Sequence, residues 1–175
     1  MNKSINIAVV GLGQVGSYLL NELNTKKKDI ELKTGKKINV VAISARNINK
    51  KRQFKINKKI FFKNPLDIFS KTSIDILFEA IGLSDGISKK VVETALKKKI
   101  HVITPNKALI SKHGNELAKI AEINNVNLEF EASVAGGIPI LRSIKEGLAT
   151  NKISKVYGIL NGTSNYILSE MENSN

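Results

Sequence analysis

The 175-residue sequence has no cysteine and no tryptophan, only three prolines, and 15 acidic residues against 28 basic ones. Without cysteine there is no disulfide framework, no thiolate metal site and no acyl-thioenzyme chemistry. Aromatic residues make up 5% of the chain, too few for the stacking platforms on which single-stranded nucleic acids bind. Apolar runs stay far below the roughly 18 residues of a membrane span, and no apolar signal core follows Lys3. The expectation is a soluble cytoplasmic protein with no membrane partner. The hydrophobic fraction of 42% excludes a disordered chain and suits one sizeable core.

The shortage of acids is local. Residues 25–63 carry fourteen Lys or Arg against Asp29 and Glu31, so +12 of the net +13 sits in 39 residues. That distribution argues against a nucleic-acid binder and asks what one basic segment faces.

Ile5 to Val10 is a β-branched apolar run suited to a strand buried on both faces, and Val15, Leu19, Leu20 and Leu23 recur at helical spacing behind it. Residues 25–37 read as a solvated, lysine-rich excursion. Ile38 to Ser44 is a second strand, residues 46–64 show no period, and Pro65 opens a short helix to Ser70. Strands follow at Ile74–Ile81, Ile100–Thr104 and Val126–Phe130. Between them lie a helix capped by Ser84 and ending at Lys97–Lys99, and a helix from Lys107 to Asn124 capped by Asn106. Beyond Glu131 the pattern predicts a helix at Ile140–Ala149, a strand at Ile153–Leu160 and a helix at Thr163–Glu172. A strand at 153 has no later strand to pair with, so the chain is expected to be part of something longer.

Gly11-Leu12-Gly13-Gln14-Val15-Gly16 fits G-x-G-x-x-G directly after a strand and at a helix start. Its glycines serve the tight turn, the approach of a pyrophosphate to the backbone, and close helix–strand packing. With strands and helices alternating, the fold class is α/β, a Rossmann-like doubly wound parallel sheet. In such folds the end of the second strand meets the adenosine ribose. Here it offers Ala45-Arg46-Asn47 with no carboxylate before Asp67. Arg46, with Lys50, Lys51 and Arg52 close behind, favours NADP over NAD, although NAD stays possible. Gly82, Thr104 and Lys107 fall on the same ligand-binding edge of the sheet; Lys107 is expected at the crevice, able to touch cofactor or a developing oxyanion. His101 and His113 make no metal pair.

Together the segments GLGQVGSYLL, HVITPNKALISKHG, EASVAGGIPI and GILNGTSNYIL resemble, in order and spacing, the N-terminal half of homoserine dehydrogenase. The resemblance spans essentially the whole chain. It implies NAD(P)-dependent interconversion of L-homoserine and L-aspartate 4-semialdehyde on the route to threonine, methionine and isoleucine. It implies a cofactor domain at 1–132, and at 133–175 the start of an α+β catalytic and dimerisation domain, homodimeric at full length. It places Gly11, Leu12, Gly13, Gln14, Val15, Gly16, Arg46, Gly82, Thr104 and Lys107 at the cofactor, with Lys107 shared with substrate as a catalytic residue. It also implies a monovalent cation, usually sodium, on Glu131 and the carbonyls of Val134, Gly136 and Ile138; by residue type alone Glu131 reads as a capping or ion-pairing group. Pro105 and Leu83 depart from the Ala and Gly usual in the family. The family's substrate-binding Glu and Asp and its proton-handling Lys lie beyond Asn175, so this chain is expected to bind cofactor with little turnover. With the first strand at Ile5, no aspartate-kinase domain is expected upstream. Other readings are a different small Rossmann reductase or a non-catalytic NAD(P)-binding module; a semialdehyde dehydrogenase would need the missing cysteine.

Overall fold

Alternation along the first strand sets the architecture. Ala8 and Val10 face one side, Ile7 and Val9 the other, and all four are buried, so the strand needs helices on both faces. The computed structural model, which describes residues 4–52, 56–158 and 161–174, provides them. Strand β1 (Ile5–Val10) leads into α1 (Gln14–Thr25) and α2 (Lys27–Thr34). Next come β2 (Ile38–Ser44), the two-residue β3 (Phe61–Phe62), the single turn α3 (Ile68–Lys71) and β4 (Ile76–Glu79). The pairs α4 (Ile87–Lys97) with β5 (His101–Ile103), and α5 (Lys107–Ile123) with β6 (Leu128–Glu129), complete the sheet; α6 (Ile140–Arg142) and α7 (Gly162–Asn173) follow.

All pairings are parallel, in the order β3-β2-β1-β4-β5-β6. The chain reverses direction of winding between β1 and β4, and the carboxyl ends of those strands open the crevice where ligands of such sheets lie. One core cluster joins Ala8, Val10 and Leu77 to Val91, Leu96, Leu109 and Leu117 of α4 and α5. The other joins Ile7, Val9 and Ile43 to Leu12 and Leu20 on the α1 side.

Several expectations are corrected. Residues 27–34 form a helix rather than an irregular excursion, closed by Gly35 at φ 65°, though none of its residues is buried; good helix formers and a left-handed cap suffice there. Ser84 does not cap α4. Gly86 holds that position, and the Ser84 hydroxyl donates to Asp85 at 2.7 Å. The helix expected at Ile140–Ala149 is one α-turn widening into a π-turn at Ser143–Gly147. No strand forms across residues 151–158, and Gly158 is followed by two positions outside the described residues. The sheet ends at β6, and among the described residues no strand pairs with that stretch. Among the described residues no helix is long and apolar enough to cross a membrane.

Candidate functional site

At the carboxyl end of β1, Gly11 takes φ 92° and its N–H donates to the Ser44 carbonyl at 2.8 Å, tying the turn to β2. A Cβ on Gly11 would collide with the Ala80 backbone, and one on Gly16 with the Gly11 carbonyl. These two glycines are therefore packing requirements. A Cβ on Gly13 would meet nothing within 4 Å: the backbone there faces open space, which is what close approach by a pyrophosphate needs. Gly13 is also the N-cap of α1, with no side chain closing it. The positive end of the helix dipole and its first N–H groups are thus left for an anion.

A cleft of about 500 Å³ opens over this turn. Gly11, Leu12 and Gly13 form its floor, Ala45, Arg46 and Asn47 one wall, and Ala80, Ile81 and Ile87 the other. Lys50, Arg52 and Lys63 add cations on the Arg46 side. The structure thus brings together Gly11, Leu12, Gly13 and Arg46 of the expected residues. Gln14 instead lines a neighbouring hollow of about 440 Å³ between α1 and residues 50–52. Val15 is half exposed, and Gly16 is buried under the turn. Gly82 is exposed at φ 86° after β4. Thr104 is fully buried, its hydroxyl committed to Glu79 at 2.6 Å. Lys107 stands exposed at the first position of α5, on the same sheet edge but outside the walls of the cleft.

The basic segment divides by role. Arg52 is a clamp: its guanidinium donates to the carbonyls of Asn47 at 2.9 Å, Ile48 at 3.2 Å, Lys50 at 2.8 Å and Leu12 at 3.4 Å, fixing the loop after β2 against the glycine turn. Arg46 is exposed in the cleft. Lys27, Lys28 and Lys33 belong to the solvated α2, and Lys55 lies outside the described residues. The residue-type signal for Arg52 was visible, but its role depends on a fork geometry that only the folded loop supplies.

Glu79 is the residue that sequence reasoning missed. It is fully buried at the end of β4, and the only sign of it was a carboxyl interrupting the apolar run IDILFEAI. Its Oε1 accepts from the Ile81 N–H at 2.8 Å and the Ser88 hydroxyl at 3.0 Å, and its Oε2 from Thr104.

Farther along, both carboxyl oxygens of Glu131 accept backbone N–H groups, from Leu141 and Arg142 at 2.9 Å each, so Glu131 caps α6. Ala135 and Gly136 take φ 54° and 60°. The Ile138 carbonyl accepts from Ile140 N–H at 2.8 Å, while those of Val134 and Gly136 take no hydrogen bond among the described residues. No cluster of three or more His, Asp or Glu suited to a metal occurs among the described residues. His101 Nδ1 accepts from Asn127 N–H at 3.0 Å, and His113 Nε2 lies 2.9 Å from Asp85. Asp85, bonded first by Lys112 and then by Ser84 and His113, is held well below the usual carboxylate range.

A glycine turn uncapped at the helix start, under a cleft walled by Arg46, is a dinucleotide site in form. The chain matches the model of the homoserine dehydrogenase NAD-binding domain over residues 11–131 and that of homoserine dehydrogenase over residues 139–175. It belongs to the homoserine dehydrogenase family. It is 40% identical over 169 residues to the homoserine dehydrogenase of Neisseria gonorrhoeae, covering 97% of this chain and 38% of that protein. The crystal structure of a homoserine dehydrogenase from Thiobacillus denitrificans superposes with a TM-score of 0.81 at 38% identity, covering 98% of this chain and 39% of that one. A hyperthermophilic archaeal homoserine dehydrogenase mutant in complex with NADPH shares the fold at a TM-score of 0.67 and 23% identity, over 84% of this chain and 50% of that one. The chain thus spans under two fifths of the length of its curated homoserine dehydrogenase relative.

Proposed function

We propose that the chain binds NADP as the cofactor part of an enzyme that interconverts L-homoserine and L-aspartate 4-semialdehyde in amino-acid biosynthesis. The observation that carries this is the Gly13 backbone facing open space under a cleft whose wall beyond β2 holds Arg46 and no carboxylate. When bound, the dinucleotide supplies or accepts the hydride. Gly13 and the start of α1 take the pyrophosphate, Leu12 and Ala45 pack the apolar floor, and Arg46 with Lys50 meets the 2′-phosphate of the adenosine ribose. Gly82 and the backbone at Thr104 border the nicotinamide, and Lys107 reaches cofactor or substrate from the start of α5. Gln14 and Val15 contribute N–H groups rather than side chains.

The domain reading is a cofactor unit at 1–132 and the start of a catalytic and dimerisation unit at 133–175. It is supported by the burial pattern: no described residue after Leu128 is buried. Glu131 with the carbonyls of Val134, Gly136 and Ile138 would hold a monovalent cation; the left-handed pair Ala135-Gly136, and the carbonyls of Val134 and Gly136 that take no hydrogen bond among the described residues, support that set, since a hard cation takes oxygen ligands.

Fluorescence titration with NADPH and NADH tests the cofactor reading. The chain should bind NADPH more tightly, and Arg46→Asp should cut that preference by about ten- to a hundredfold, the worth of a charge-assisted phosphate contact. Tighter binding of NADH, or a preference untouched by Arg46→Asp, would sink the NADP assignment.

A further inference from the structure

We infer that Glu79 is the positioning residue of the nicotinamide half of the cleft, a reading that rests on dinucleotide binding at the site above. Four groups converge on its side chain. Ile81 N–H comes from the loop after β4 and the Ser88 hydroxyl from the first turn of α4. The Thr104 hydroxyl lies after β5, and Asn106 Nδ2, at the N-cap of α5, lies 3.4 Å from both oxygens. Asn106 extends the link: Nδ2 also donates to the Leu83 carbonyl at 2.8 Å, Oδ1 accepts from Leu109 N–H at 3.1 Å, and its own N–H donates to Thr104 Oγ1 at 3.0 Å.

One carboxyl therefore joins the loop 80–83 to the turn 104–107. Both emerge at the carboxyl edge of the sheet, and one wall of the cleft is Ala80 and Ile81 themselves. The strand order decides which half of the ligand this is. Arg46 stands beyond β2, on one side of β1, while β4 and β5 lie on the other. A dinucleotide whose adenosine meets Arg46 and whose pyrophosphate crosses the glycine turn puts its nicotinamide over β4 and β5. A buried carboxyl is costly without a cation, and among the described residues none pairs with Glu79. Ser88, Thr104 and Asn106 are buried with it, but the chain that they and Ile81 anchor runs out at the carboxyl edge of the sheet, so Glu79 fixes the two loops that border the reacting ring and touches neither ring nor substrate.

The test compares NADPH with 2′,5′-ADP, which carries the adenosine end and no nicotinamide. Glu79→Gln keeps shape and one acceptor oxygen but turns an amide donor on neighbours that donate. Thr104→Val removes the hydroxyl at nearly constant volume, and Thr104→Ser restores it. Glu79→Gln and Thr104→Val should each weaken NADPH by about tenfold, as expected when buried polar partners are left unpaired. They should also diminish the change in nicotinamide emission on binding, leave 2′,5′-ADP affinity within about twofold, and Thr104→Ser should match the unaltered protein. Equal weakening of both ligands, or weakening of neither, overturns the inference; should Glu79→Gln not fold, the Thr104 pair decides alone. If the unaltered chain binds neither ligand, the dinucleotide reading itself falls and this inference with it. If the unaltered chain binds both, that reading stands whatever the variants do.

Discussion

Residues up to Leu128 and residues from Ser133 onward contain similar apolar side chains and put them to opposite use. The first part buries Val9, Leu77, Leu96, Val102 and Leu117 completely in two clusters that sandwich the sheet. The second leaves Ile138, Tyr157, Tyr166, Leu168 and Met171 all more than half exposed. Helix α7 is well formed and capped by Asn161, whose side chain accepts from Ser164 N–H at 3.0 Å, yet it packs nothing away. Local capping makes a helix; only a facing layer makes a core.

The sharpest way to break this contrast is a matched pair of truncations. Leu96→Ala should cost about 2–5 kcal/mol in chemical denaturation, since it empties a fully packed site. Leu168→Ala should stay within about 0.5 kcal/mol, as an exposed substitution does. Equal costs would overturn the contrast. A second pair sharpens the contrast inside the cleft. Gly16→Ala forces a Cβ onto the Gly11 carbonyl and should destabilise by about 1–3 kcal/mol or more. Gly13→Ala should leave the unfolding midpoint near its original value while weakening NADPH, because its Cβ meets only the space a ligand would fill.

The smallest expected effect concerns Asp85, whose carboxyl is lowered from 3.8 chiefly by its hydrogen bond to Lys112. A lowered carboxylate adds stability above its unfolded pKa and loses it as pH falls through the folded value. Asp85→Asn should therefore show a slightly lower melting midpoint from pH 7 down to about pH 4, and the gap should close in stronger acid. A gap that widens in acid would contradict this origin.

Much of the cleft was legible beforehand. The strand, the G-x-G-x-x-G turn, the helix behind it and Arg46 after β2 are close in sequence or tied by a regular pattern, and the structure brings the strand end, Gly11 to Gly13 and Arg46 into one cavity. The Asn106 cap was likewise readable, because a cap acts on its own next turn. Ser84 misled because the helix starts two residues farther on, with Gly86 at its N-cap. The strand expected at Ile153 failed for a different reason: alternation predicts a face, but pairing needs a neighbour.

By itself, then, the sequence determined the parallel α/β layering, the glycine turn and the sign of the charge beyond β2, since each rests on short-range periodicity or on residue types with few conformational options. Only the tertiary structure decided that Glu79 is a four-way junction, that Arg52 clamps a loop while Arg46 faces the cleft, and that Thr104 turns inward. Those roles arise where strands β1, β4 and β5 bring separate stretches of chain within hydrogen-bonding distance, and a contact 25 residues apart, such as Thr104 with Glu79, leaves no local period to read.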